Sequence, residues 1–289
     1  MAIPIPGLRG GPDAISPTAH YTGETWVRNG LSHPALATIQ GRTFFAALQP
    51  TMAISGTLGG PTLEGMLLAR HRIIDDLLAR SVESGAIGQV IEVACGMSPR
   101  GWRFASRWGD GLVYVEADLP AMAARKRSAL ERMGSLSAHH RVADLDVLRP
   151  AGDGSLAAIS AELDPGTGTA IITEGLLSYL SDGPLSAVWH RFAHELERFS
   201  RGLYLSDLRL AAERDPVEQV FNRALGAFVR GGVHPHFGSE GAAAAALEAA
   251  GFDSAALHRG DLHPAAGDRR GDPGAALIHV IEGRIGRWE

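Results

Sequence analysis

A short apolar run that ends in a small-residue loop constrains this chain most strongly. Residues 90–93 are Val-Ile-Glu-Val, and Ala94, Cys95 and Gly96 follow directly. The pattern predicts a buried strand, a tight loop and then a helix. A second apolar run, residues 112–118, ends in Asp118. Two strands joined in this way, the second ending in a carboxylate that can bind ribose hydroxyls, indicate the first half of a nucleotide-binding α/β unit.

The composition of the loop favours one adenosine ligand over another. A dinucleotide fold prefers Gly-x-Gly-x-x-Gly, because the pyrophosphate sits on backbone amides at a helix N-terminus. Here Ala94 takes the place of the first glycine, the third is missing, and no phosphate loop ending in Gly-Lys-Ser/Thr is present. A bulkier loop suits a ligand without phosphate. The sequence therefore predicts S-adenosylmethionine rather than NAD.

Three further apolar runs predict three more strands of the sheet. A third strand covers residues 140–146, a fourth begins the run 169–180, and a fifth covers 201–207. Carboxylates accompany the ends of these runs, and the carboxyl ends of parallel strands form the ligand crevice of an open sheet. Strands and helices alternate from residue 89 onward. We therefore predict an α/β fold of the Rossmann-like kind, with a doubly wound, mostly parallel sheet.

The remaining segments are predicted to extend this core within a single domain, residues 1–289. Leu67, Ile74, Leu77 and Leu78 recur at helical spacing, in a helix that ends near Gly85. A lead-in and helical N-terminal cap would occupy residues 1–65, and the cofactor-binding core would occupy residues 66–209. A helical insert or substrate cap, with a helix at 215–229, would follow at residues 210–250. The C-terminal strands would occupy residues 251–289. Those last strands are predicted at 253–258 and 276–282, joined by a mobile connection at 267–274.

Composition excludes several classes of protein. The 289 residues carry a net charge of −5 with a pI near 6.2, whereas nucleic-acid binders usually carry a basic patch. The run Arg125-Lys126-Arg127 is predicted to be solvated helix surface. Cys95 is the only cysteine, so no intramolecular disulfide can form, and a small buried residue explains it better than a nucleophile does. Neither a signal peptide nor an apolar run of about 18 residues is evident, which favours a cytoplasmic protein without a membrane span.

An ordered set of motifs resembles one known family. The chain is similar to the leucine carboxyl methyltransferase-like family of class I S-adenosylmethionine-dependent methyltransferases, in particular its bacterial branch of natural-product and polyketide pathways. That branch includes indole C-methyltransferases. The matching motifs are Ala69-Arg70-His71-Arg72-Ile73-Ile74-Asp75-Asp76, Glu92 to Met97, Tyr114 to Pro120, Ala143-Asp144-Leu145 and Glu174 to Leu180, together with the start Ser16 to Tyr21.

The resemblance implies a cofactor site for S-adenosylmethionine. Arg70 would pair with the methionine carboxylate, and Glu174 would lie beside the methionine ammonium. Ala94 and Gly96 would present backbone to the methionine part, and Asp118 would hold the ribose. Asp144 and Leu145 would flank the adenine. The chain departs from the family at Ala94-Cys95-Gly96, where Gly-Ala-Gly is usual, but the loop stays small, so we expect binding to persist.

Five polar residues are candidates for handling the methyl acceptor. We hypothesise that His236, or its neighbour His234, acts with Asp207 to deprotonate or orient the acceptor, while Tyr21 and His33 position it. Such a general base contributes about 10²–10⁴-fold to a rate. The His-Pro-His sequence around His234 also suggests a metal, but no cysteine cluster or spaced carboxylate completes a site, so no metal is predicted.

Several functions remain open at this stage. The leading hypothesis is methylation of a small natural-product acceptor, an aromatic one above all, at oxygen or carbon. Similarity to relatives that methylate indole carbon and close a pyrroloindoline ring makes tryptophan-derived cyclic dipeptides one such acceptor. Alternatives are a protein or peptide carboxyl methyltransferase, a non-catalytic S-adenosylmethionine-binding protein, and an NAD-linked oxidoreductase, which the loop disfavours. The sequence predicts no nucleic-acid partner and does not indicate the oligomeric state.

Overall fold

A seven-stranded sheet forms the centre of the molecule. The computed structural model describes residues 17–57, 59–211 and 236–288. The strand order is β3-β2-β1-β4-β5-β7-β6; β1 to β5 are parallel, and β7 runs antiparallel to both of its neighbours. This confirms the predicted doubly wound, mostly parallel α/β architecture. The strands are β1 Gln89–Val93, β2 Val113–Asp118, β3 His140–Asp144, β4 Thr169–Thr173, β5 Gly202–Leu208, β6 Ser254–Arg259 and β7 His279–Ile285.

The predicted limits of three strands need correction. The third strand, expected at residues 140–146, ends at Asp144. The fifth, expected to end at Asp207, continues to Leu208, so Asp207 lies within β5. The last strand was expected at residues 276–282. Residues Ala275–Leu277 instead form a 3₁₀ turn, and the strand starts at His279.

Eight helices pack on the sheet or cap it in the described part of the chain. The third begins where the Thr62 side chain accepts a hydrogen bond from the Gly65 amide at 3.0 Å, and ends just before Gly85, whose φ is +73°. This helix confirms the prediction that ended it near Gly85. The helices are α1 Pro17–Arg28, α2 Ile39–Thr57, α3 Leu63–Glu83, α4 Arg100–Trp108, α5 Pro120–Arg132, α6 Leu156–Ser160, α7 Asp182–Leu196 and α8 Glu240–Ala249.

The sheet is buried on both faces, which is usual for parallel strands. Ile91 packs on one face with residues of α6, α7 and α8, whereas its neighbour Val90 packs on the other with residues of α3 and α4. Ala243 and Leu247 of α8 lie in the first of these cores, although the predicted insert, residues 210–250, includes that helix. Helices α1 and α2 pack on each other and on α3 as an N-terminal cap.

The connection predicted as mobile is fixed against α3. Arg269 donates to Glu64 at 2.9 Å, and Ala266 and Ala275 are fully buried. Gly65 lies so close to the Asp272 carboxylate that a Cβ atom would clash with it. The prediction of a free loop at residues 267–274 is therefore wrong, since α3 and this segment pack together.

Some predictions fall outside the described residues. These are the role of His234, the helix at 215–229 and the lead-in before residue 17. None of the helices in the described ranges combines the length and the apolar character that crossing a membrane requires.

Candidate cofactor site

The loop between β1 and α4, residues 94–99, is here called the cofactor loop. Ala94 and Gly96 both adopt positive φ angles, +52° and +51°. A left-handed conformation costs an alanine about 1–2 kcal/mol, whereas glycine adopts it freely. No atom of the described chain lies within 4 Å of the position that a Cβ on Gly96 would take. The backbone at Gly96 is therefore open on the side where a Cβ would lie, and the predicted contact of the loop with the methionine part stays a prediction.

Asp118 lies beside this loop at the end of β2. Its Oδ2 accepts a hydrogen bond from the Gly96 amide at 2.7 Å, and its Oδ1 accepts one from the Leu119 amide at 2.8 Å. Burial raises the pKa of the carboxyl, while the two amides oppose this rise. Each oxygen retains a free lone pair. Two adjacent acceptors of this kind fit the two hydroxyls of a ribose, so the residues present fit an adenosine cofactor.

The end of β3 lies next to Asp118, because Asp118 and Asp144 are paired in register. Asp144 is exposed and forms an ion pair of 3.2 Å with Arg127. Leu145 is buried in the core, and its amide donates to the Asp118 carbonyl at 2.7 Å. The structure thus places both residues beside the expected ribose site. Their proposed contact with adenine stays a prediction.

Arg70 comes from α3 and crosses to the ends of β4 and β5. Its Nε donates to Glu174 Oε1 at 3.0 Å, and its Nη1 donates to Asp207 Oδ2 at 2.9 Å. Burial alone would lower the pKa of Arg70, but the two carboxylates raise it above the usual value. Its Nη2 enters no hydrogen bond with the described residues. The predicted role of Arg70 toward the methionine carboxylate stays a prediction.

Arg100, at the start of α4, was not predicted as a site residue. It is fully buried and donates to the carboxylates of Asp75, Glu92 and Glu174, each at 2.6 Å. Burial opposes the charge, but these carboxylates raise the pKa of Arg100 well above its usual value. Its partners lie on α3, on β1 and after β4, far from it in the sequence. Only its position next to the cofactor loop could therefore have indicated from the sequence that Arg100 belongs to the site.

Glu174 is part of the same buried network. Its Oε1 accepts from Arg70, and its Oε2 accepts from His71 Nδ1 at 2.9 Å and from Arg100. Although burial raises the pKa of Glu174, His71 and the two arginines lower it far below the usual value. Both oxygens are therefore engaged by the chain. The predicted contact of Glu174 with the methionine ammonium stays a prediction.

Two of the predicted catalytic residues lie in separate hydrogen-bonding groups. Asp207 accepts from the Gly175 amide at 2.5 Å and from Arg70. His236 has one ring nitrogen 2.7 Å from Asp182 Oδ1 and the other 3.1 Å from the Leu177 carbonyl. Asp207 and His236 thus make hydrogen bonds to different neighbours, and their joint action on the acceptor stays a prediction.

Tyr21 and His33 lie in the N-terminal cap. Tyr21 is buried and stacks on Phe45 at 5.2 Å; burial raises its pKa to about 12. Nδ1 of His33 accepts from the Ala35 amide at 3.1 Å, and the ring meets Trp102 edge-on at 5.5 Å. Within the described part of the chain, no hydrogen bond joins either residue to Asp207 or His236. Their acceptor-positioning roles stay predictions.

Lys126 corrects a prediction about the surface. The basic run 125–127 was expected to be solvated, yet Lys126 is fully buried and forms an ion pair with Glu116.

Cys95 is buried, as expected, and burial raises the pKa of its thiol well above the usual value. In residues 17–57, 59–211 and 236–288, no group of three or more metal-ligating side chains could hold an ion. The predicted absence of a metal stays a prediction.

Known proteins resemble this chain in sequence and in fold. The family model for leucine carboxyl methyltransferase matches residues 35–193. A protein of Mycolicibacterium gilvum named "putative S-adenosyl-L-methionine-dependent methyltransferase" is 33% identical over 114 residues, which cover 39% of this chain and 36% of that protein. The chain thus spans about a third of the length of that relative.

Two solved structures resemble the whole chain. One is a putative methyltransferase of Thermobifida fusca (TM-score 0.64, 15% identity, 96% of this chain and 97% of that one). The other is a DUF574 family protein of Streptomyces avermitilis (TM-score 0.60, 12% identity, 92% and 96%). At this identity the likeness concerns the fold alone. It confirms the predicted class I methyltransferase fold.

Proposed function

Because the chain belongs to the leucine carboxyl methyltransferase family, we propose that it is an S-adenosylmethionine-dependent methyltransferase acting on a small acceptor. The observation that carries the proposal is the pairing of Asp118 with the Gly96 amide at the crevice. This contact fixes a carboxylate beside an open backbone loop. Both features lie at the carboxyl ends of parallel strands, where ligands of this sheet type bind.

The residues named above would hold the cofactor. Asp118 would accept hydrogen bonds from the ribose hydroxyls, Arg70 would donate through Nη2 to the methionine carboxylate, and the cofactor loop would pass under the methionine part. Asp144 and Leu145 would flank the adenine, and Glu174 would act near the ammonium through the network that orients Arg70. When bound, S-adenosylmethionine supplies an electrophilic methyl group on a sulfonium.

On the acceptor side, the chain must orient a nucleophile and remove its proton. Holding the acceptor in line supplies much of the rate through proximity. We propose His236 as the proton-handling group among the described residues, with His234 as its neighbour; its Nε2 would exchange the Leu177 carbonyl for the acceptor in order to take up a proton. Asp207 acts through Arg70 instead, because both of its oxygens accept hydrogen bonds from the chain. Tyr21 and His33 would position the acceptor from the cap.

For the acceptor we propose a small, aromatic natural product, methylated at oxygen or at carbon. Indole carbon of a tryptophan-derived cyclic dipeptide is the most specific version. The motifs shared with the natural-product branch support this choice, and we add a cytoplasmic location as part of it. The name of the matching family favours a second candidate, methylation of a carboxyl group at a peptide C-terminus. We expect no nucleic-acid partner.

The first experiment measures cofactor binding by calorimetry, with S-adenosylhomocysteine as the ligand and NAD as the control. We expect binding of S-adenosylhomocysteine alone. Asp118→Asn should weaken it roughly 10–100-fold, because a hydrogen bond to a charged group contributes about 1.5–3 kcal/mol. Arg70→Lys should also weaken it, whereas Asp110→Asn, whose side chain is 94% exposed, should not. Binding of NAD, or of neither ligand, would contradict the proposal.

A second experiment identifies the acceptor. Release of S-adenosylhomocysteine is measured with phenols, indoles, cyclic dipeptides and a peptide that ends in leucine. Turnover with the small aromatics supports the proposal, whereas turnover with the peptide alone supports carboxyl methylation of proteins. Tight cofactor binding without turnover on any of these would favour a non-catalytic binding protein. His236→Gln should reduce kcat and leave the affinity for S-adenosylhomocysteine intact.

A further inference from the structure

A buried lysine lies directly beneath the cofactor loop. Lys126 on α5 has no exposed side-chain surface, and its Nζ donates to the Ser98 carbonyl at 2.5 Å. The Gly96 carbonyl lies 3.5 Å away, and Glu116 provides the ion pair. An ammonium group has three N–H donors. The ammonium group thus contacts one counter-ion, Glu116, and two backbone carbonyl groups of the cofactor loop.

The loop beside Lys126 is strained and needs support. Ala94 holds a positive φ that alanine disfavours, and such strain persists only where the surroundings over-determine the conformation. In a trans peptide the C=O and the next N–H point in opposite directions. By binding the Gly96 carbonyl, Lys126 therefore turns the Met97 amide away from itself. The same peptide unit follows the Gly96 amide, which holds Asp118.

Glu116 stabilises the charged form of Lys126. Burial would lower the pKa of Lys126, but Glu116 raises it above the usual value. Glu116 is itself fully buried, and its Oε1 lies 2.7 Å from His140 Nε2. An isolated buried ammonium would shed its proton. Here Glu116 keeps the group charged, and a charged donor makes the stronger hydrogen bonds to carbonyl groups.

We infer that Lys126 is a positioning residue for cofactor binding: its ammonium group holds the carbonyls of the cofactor loop and keeps the Gly96 amide aligned with Asp118. The inference rests on the proposed function, because the loop matters only if it carries the cofactor. If the ion pair were purely structural, its loss would lower the stability of the protein without a specific effect on the loop. A positioning role instead requires that the cofactor loop opens when Lys126 is lost.

The test compares three proteins: the parent, the variant Lys126→Met/Glu116→Gln and the variant Leu247→Ala. The double change removes both charges, and glutamine can still bind His140, so no carboxylate is left buried without a partner. Leu247 is fully buried in α8, which packs on the edge strand β6, four strands away from the β1 strand that leads into the cofactor loop. It therefore controls for a general loss of stability, measured as the thermal midpoint.

The first readout is Cys95, the single cysteine of the chain, which lies in the cofactor loop. Its alkylation by iodoacetamide is followed by mass spectrometry in the ligand-free protein. Burial raises the pKa of the thiol, Lys126 lowers it, and Glu116 raises it to a smaller extent than Lys126 lowers it. Loss of both charges would therefore slow alkylation or leave it unchanged. We expect alkylation at least fivefold faster in the double variant, which only opening of the loop can produce, and no such increase in Leu247→Ala.

The second readout is the calorimetric Kd for S-adenosylhomocysteine, which should rise at least tenfold in the double variant and less than threefold in Leu247→Ala. If the parent does not bind this ligand, the proposed function fails. If the parent binds and the double variant matches it in affinity and alkylation, or differs no more than Leu247→Ala does, the inference is overturned. Should the double variant not fold, Lys126→Gln/Glu116→Gln, which keeps a hydrogen bond between the two positions, serves as the second variant under the same criteria.

Discussion

At the scale of single residues, Gly101 shows how closely α4 approaches the sheet. A Cβ atom at this position would lie 2.5 Å from the Oε1 atom of Glu116. Glu116 is fully buried between Lys126 and His140, so its carboxylate cannot swing aside. The glycine is therefore required by a close approach of side chain to backbone, and not by a left-handed turn.

We predict that Gly101→Ala destabilises the protein by about 1–3 kcal/mol, which is the usual cost of forcing an extra atom into a packed interior. Urea unfolding measures the change. The matched control is Gly183→Ala in the first turn of α7, where no described atom lies within 4 Å of a new Cβ. That change should be neutral or stabilise by up to about 1 kcal/mol, because alanine favours a helix more than glycine does. Equal losses in the two variants would contradict the explanation.

The residues that could be predicted from sequence are those whose role follows from local position. Asp118 ends an apolar run, and Gly96 follows another, so both mark the crevice. Lys126 could not be predicted, because its partners are backbone carbonyls in a loop 28 and 30 positions away. Arg100 was missed for the same reason, since two of its three carboxylate partners lie 25 and 74 positions away. Only the fold brings these groups together.

At the scale of elements, Arg100 joins four segments around the crevice. Its guanidinium contacts Asp75 on α3, Glu92 on β1 and Glu174 after β4, while its own backbone begins α4. Removing one partner of a buried ionic network leaves uncompensated charges, which commonly costs 3–5 kcal/mol. Arg100 thus ties the start of α4, and with it the end of the cofactor loop, to these three segments.

We predict that Arg100→Met lowers the free energy of unfolding by roughly 3–5 kcal/mol and that Arg100→Lys recovers only part of the loss, because one ammonium group cannot span three carboxylates. Arg107→Met is the matched control on the same helix. Its ion pair with Glu83 is largely exposed, with 61% and 52% of the side chains accessible, and should contribute at most about 1 kcal/mol. Denaturant unfolding of both variants decides the matter. A small loss in Arg100→Met would mean that the network does not stabilise the native state.

Sequence periodicity identified most elements of the fold but not all of their relations. The five parallel strands follow from apolar runs separated by helices, and their order follows the rule for doubly wound sheets. The antiparallel entry of β7 between β5 and β6 has no comparable local signal. The start of β7 was misplaced because the apolar residues Ala275–Leu277 form a 3₁₀ turn that packs on α3.

At the scale of the whole molecule, buried ionisable groups set how stability depends on pH. Despite burial, which raises their pKa values, the cationic neighbours of Glu174, Asp75 and Glu116 lower them below the usual range. Such groups stabilise the folded state above the pKa of the unfolded chain, about 4, and lose this contribution only as the pH falls further. Between about pH 5.5 and 7 they stay ionised in both states and leave the stability unchanged.

His20, in the N-terminal cap, makes the stability depend on pH already at higher pH than these carboxylates do. Thr38 Oγ1 accepts from the Gly41 amide at 2.9 Å and lies 2.8 Å from His20 Nδ1. A neutral imidazole can accept from this hydroxyl through Nδ1. Burial, with a smaller contribution from Arg125, lowers the pKa of His20 from 6.5 to about 4. From pH 6.5 down to about 4 the unfolded chain binds this proton and the folded one does not, so stability falls with the pH.

We predict that the parent loses up to about 3 kcal/mol of unfolding free energy between pH 7.5 and 4.5 through His20, since each unit of pKa shift corresponds to about 1.4 kcal/mol. His20→Asn keeps an oxygen that accepts from Thr38 but cannot titrate, so its stability should fall by at least about 1 kcal/mol less over the same range. His194→Asn, whose side chain is 76% exposed, should behave like the parent. Urea unfolding at intervals of half a pH unit measures all three. If the curves of parent and His20→Asn ran parallel, the cap would not sense pH through His20, and the decline would have to arise from other groups.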